Sequence, residues 1–74
     1  MKHSTVRTLI NELGRECENV MTLIHQLQLP NITDRQRVRI LTELLAASIH
    51  LNSHCDKSFQ AIIAQEIEKL SDEE

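Results

Sequence analysis

Pro30 is the chain's only proline, and a long apolar periodicity lies on either side of it. A proline disfavours helical geometry at the residue before it. The stretch Gln28-Leu29-Pro30-Asn31-Ile32 is therefore expected to be a turn between two helices. Thr33 follows as a candidate N-cap, with Gln36 three residues on to complete a capping box. Asp34 at the first helical position suits the positive end of the helix dipole. A short linker between two amphipathic helices makes an antiparallel helical hairpin.

The first segment runs from about residue 4 to residue 28. Val6, Ile10, Leu13, Cys17, Val20, Ile24 and Leu27 recur at alternating spacings of four and three. That is a heptad seam of the coiled-coil kind, widened by Leu9, Met21 and Leu23. Ser4 or Thr5 is placed to cap its start. Gly14 costs about 1 kcal/mol against alanine inside a helix. Its expected use is to let a neighbouring helix approach closely.

The second segment starts near Thr33. At about 100° per residue, Leu41, Leu44, Leu45, Cys55, Phe59, Ile62, Ile63 and Leu70 share a face, flanked by Val38, Ile49, Leu51 and Ile67. The phase is unbroken across residues 50–58, and no glycine or proline interrupts it. The favoured expectation is one helix over about 33–70, then a frayed acidic tail over 71–74. The alternative is a break within 52–58, with Ser53 or Asp56 capping a third helix. Ser48 and Asn52 fall in the middle of this apolar face, where Asn52 could form a buried polar layer that fixes register.

These lengths do not match. At 1.5 Å per residue the first helix spans roughly 36 Å and the second roughly 57 Å. Val6 then lies opposite Cys55, and Phe59, Ile62, Ile63, Ile67 and Leu70 overhang without an intrachain partner. Burying each contributes about 1.5–3 kcal/mol, so a surface covering them is expected. A second copy related by a twofold axis would do so and give a four-helix bundle. With a break, the alternative is a monomeric three-helix bundle.

Composition sets the remaining bounds. A chain of 74 residues is a single domain at most. Its 41% hydrophobic share is too high for disorder, and the shortage of turn residues argues for an all-α fold. The segment Met1 to Ile10 holds no apolar signal core, and no apolar run is long enough for a membrane span. Cys17 and Cys55 are too few for a disulfide scaffold. Together these point to a cytoplasmic protein with reduced thiols.

Chemistry is sparse. His50 and His54, one turn apart, share a helix face, but two ligands do not make a specific metal site. A third would have to come from His3 or Cys55, and both histidines are read as solvated. The cysteines lack a base in reach and are read as small core residues. No phosphate-binding loop can be built on one glycine. No catalytic residue, cofactor or metal is therefore assigned, and the chain is not read as an enzyme. Arg35, Arg37 and Arg39 raise the rival of a helical DNA-binding or antitoxin-like regulator. They point to different sides, the net charge is −3, and no aromatic besides Phe59 could stack on bases, so nucleic acid is not the expected partner. The favoured function is a small helical protein–protein interaction module (adaptor, small chaperone or regulator). It acts through a homodimer or another protein's helix, with Phe59, Ile62, Ile63, Ile67 and Leu70 as contacts.

Overall fold

The computed structural model describes residues 3–72, and side chains for 5–71. It holds three helices: α1 over His3–Leu27, α2 over Asp34–His54 and α3 over Lys57–Asp72. There is no strand among the described residues. The all-α expectation and the hairpin turn are met. Helix α1 is already running at His3, so Ser4 and Thr5 lie inside it rather than capping it. Glu73 and Glu74, which complete the expected acidic tail, lie outside the described residues.

The turn forms as its sequence requires. The Gln28 amide donates to both Ile24 O and His25 O, and the Leu29 amide to Gln26 O, which closes α1. Asn31 takes φ 68°, a left-handed conformation that asparagine tolerates better than most side chains. The capping box then starts α2. The Gln36 amide donates to Thr33 Oγ1 at 3.1 Å, and the Thr33 amide donates to Gln36 Oε1 at 2.8 Å. Two orphan donors at the helix start are thereby satisfied.

The single second helix to residue 70 is not what forms. Helix α2 stops at His54, Cys55 leaves helical geometry at φ −93°, ψ 38°, and α3 starts two residues later. Its start is held by side chains. Asp56 Oδ1 accepts from the Phe59 amide at 2.9 Å, and Gln60 Nε2 donates back to Cys55 O at 3.0 Å. Of the two caps considered for a third helix, Asp56 is the one used. The reason is local competition. The run Asn52-Ser53-His54-Cys55-Asp56 has weak helix propensity throughout, and an aspartate carboxylate offers the next helix's amides a ready acceptor. Turning there also brings Phe59, 6% exposed, onto the His54 ring.

Helices α1 and α2 share the long interface, while α3 meets α1 over a much smaller one. The molecule measures 54 × 19 × 18 Å, with a radius of gyration of 16.9 Å. A compact chain of this length has a radius of about 11 Å. Among the described residues only Leu23, Ala47 and Phe59 are buried.

Candidate functional site

The seam that closes the hairpin keeps Val6, Leu13, Val20 and Leu27 of the α1 seam read from sequence and is shifted by one residue at the alternate positions. On α1 the inward positions are Val6, Leu9, Leu13, Glu16, Val20, Leu23 and Leu27, all half-buried or buried. Ile10 and Cys17 are instead exposed, and only Ile24 of the three shifted positions stays half-buried. On α2 the inward positions are Ile40, Leu44, Ala47, Leu51 and His54, while Leu41, Leu45 and Cys55 are exposed. The reading missed Glu16, Ile40, Ala47 and His54. Glu16 and His54 are polar and Ala47 is small, so these three do not stand out in an apolar periodicity; Ile40 is apolar but lies outside the face that was read. Ala47 on the inward face allows close approach, and the half-buried Glu16 can cover apolar surface with its stem while its carboxylate reaches water.

Each helix therefore carries two apolar seams. One closes the hairpin; the other is left open. On α1 the open seam holds Ile10, Cys17 and Met21. On α2 it holds Leu41 and Leu45, with Val38 and Ile49 beside them. Leu45 is 63% exposed and Val38 62%. Helical geometry decides whether the two seams meet. Around antiparallel neighbours, residues offset in the same sense from their inward faces fall on the same side. The opposite offset is visible directly, since Gln26 of α1 lines a groove with Gln36, Arg39 and Glu43 of α2. Ile10, Cys17 and Met21 accordingly join Leu41 and Leu45 on the other side. At its α3 end this side runs on, because Ile10 and Val6 line an open groove of about 440 Å³ with Glu66 and Leu70.

The contact residues expected on α3 divide. Phe59 is covered inside the chain, and Ile62 and Ile63 are half-buried. Ile67, 59% exposed, and Leu70 stay open. Ser48 and Asn52 are exposed on α2, and the Ser48 hydroxyl donates to Leu44 O of its own helix at 2.8 Å, so the chain by itself forms no buried polar layer there. Nothing lies within 4 Å of a side-chain carbon built on Gly14, so no helix of this chain makes the expected close approach.

His54 corrects the reading of a solvated histidine. It is half-buried, its Nε2 lies 2.8 Å from Leu9 O, and its ring meets Phe59 edge-on at 5.0 Å. A carbonyl can only accept, so Nε2 carries the proton in this bond. His54 thus pins the joint between α2 and α3 to α1. His50 is exposed. No group of three metal-ligating side chains gathers among the described residues, and the His3 side chain lies outside them. Cys17 and Cys55 are free and exposed. Arg35, Arg37 and Arg39 are all exposed around the start of α2.

With the side defined, comparison with known proteins adds nothing further. No family model, curated protein or solved structure matches this chain. No helix among the described residues is long and apolar enough to cross a membrane.

Proposed function

We propose that this chain is a small helical protein–protein interaction module whose contact surface is the open apolar side of the hairpin. It works as an adaptor, small chaperone or regulator, by associating with itself or with another helical surface. One observation carries the reading: the chain exposes more large apolar side chains than it buries. Ile10, Met21, Leu41, Leu45, Ile67 and Leu70 are each about half exposed or more, against a core of Leu23, Ala47 and Phe59 among the described residues. Large exposed apolar patches mark association surfaces. The reading assigns no catalytic residue, cofactor or metal.

The test compares the wild type with a Leu41→Glu/Leu45→Glu variant. Both side chains already face water, so the charges leave the single chain's helices intact, which circular dichroism checks. The variant is expected to lose association, measured as native mass across a dilution series. Equal mass and equal melting for the two proteins would overturn the proposal.

A further inference from the structure

We infer that the open side is covered by a second copy of this chain laid antiparallel along it. The inference rests on the association reading above and names its partner and geometry. Area is the first argument. A folded monomer of this 8.5 kDa mass exposes about 4,700 Å². The chain exposes 6006 Å². The excess is above the roughly 800 Å² that each partner contributes to a stable interface. A slender hairpin with one long apolar side can remove such an area against a copy of itself, because a twofold axis sets identical seams face to face.

Charge decides the direction. The start of α2 carries Arg35, Arg37 and Arg39 against Asp34. The last turns of α3, towards the other end of the molecule, carry Glu66, Glu68 and Asp72 with Lys69, of which Glu66 already pairs with Lys69 at 3.8 Å, so Glu68 and Asp72 carry the surplus negative charge. A twofold axis parallel to the helices would set the basic end of one copy beside the basic end of the other. An axis across the helices reverses one copy and brings the basic end of each towards the acidic end of the other. Complementary fields fix such a register while the apolar area supplies the affinity.

The experiment uses the full chain with Cys17→Ser and Cys55→Ser, and a nitroxide label on Gln28→Cys, an exposed position at the turn. Native mass gives the state, and dipolar spectroscopy gives the distance between labels. The expected result is a dimer with labels roughly 35 Å or more apart, since the turns lie at opposite ends of paired helices rising 1.5 Å per residue. Replacing the three arginines by glutamate is expected to weaken association about tenfold, with Glu68→Lys/Asp72→Lys restoring it. A dimer with labels within roughly 20 Å, about two helix diameters, overturns the antiparallel arrangement and leaves the association reading standing. A monomer at the highest concentration reached, or a larger assembly, overturns the inference. If the Leu41→Glu/Leu45→Glu variant then also matches wild type, the association reading fails with it.

Discussion

Asn31 and His54 are the residues on which the chain's two changes of direction depend. At φ 68° a β-branched side chain is strained, whereas glycine is at ease. Asn31→Val is expected to cost about 1–2 kcal/mol, and Asn31→Gly to stay within a few tenths, by urea unfolding monitored at 222 nm. His54 acts at the other bend. Its bond to Leu9 O and its edge contact with Phe59 are the described links that tie the end of α2 and the start of α3 to α1. His54→Ala is expected to lower stability by about 1–2 kcal/mol. It should also move the ring resonances of Phe59, the chain's sole Phe, Tyr or Trp residue, towards their unfolded positions. Unmoved ring signals would show that the pin is not what holds Phe59 in place.

Helices α2 and α3 differ in what their caps protect. Thr33 starts a helix that is packed along α1, so fraying there opens the main interface. Asp56 starts a helix that touches α1 only over a short stretch. Each cap is worth about 1 kcal/mol. Thr33→Ala is expected to lower the global unfolding midpoint, whereas Asp56→Ala speeds amide exchange in α3 and leaves α1 and α2 protected. Equal loss of protection in all three helices would show that α3 unfolds only with the rest. The same elements show what the sequence made legible. The all-helical class, the Pro30 turn and the Thr33–Gln36 box follow from local chemistry and could be read directly. The break at Cys55 could only be read as an alternative, because the apolar phase continues through it and Asp56 caps without a glycine or proline to announce it. The alternate positions of the α1 seam were misread for a related reason. Ile10, Cys17 and Ile24 make a cleaner apolar row than Leu9, Glu16 and Leu23, and periodicity ranks rows by purity. Packing instead selects the row that faces the neighbouring helix, and that depends on the turn and on Ala47 opposite.

At the scale of the whole molecule, a slender hairpin with a thin core has little stability of its own. Covering the open side adds to that stability by mass action, so the melting temperature is expected to rise with protein concentration. A melting temperature independent of concentration over a wide dilution range would count against association. Cys17 gives this equilibrium its own gauge. The thiol sits on the open side and is exposed. A colourless disulfide reagent that releases a coloured thiol would therefore titrate Cys17 quickly in the free chain and slowly once that side is occupied. Replacing Cys55 with serine leaves Cys17 as the chain's one thiol, so the colour reads that side alone. The protein thus carries a chromogenic clock for its own assembly, read without adding a label.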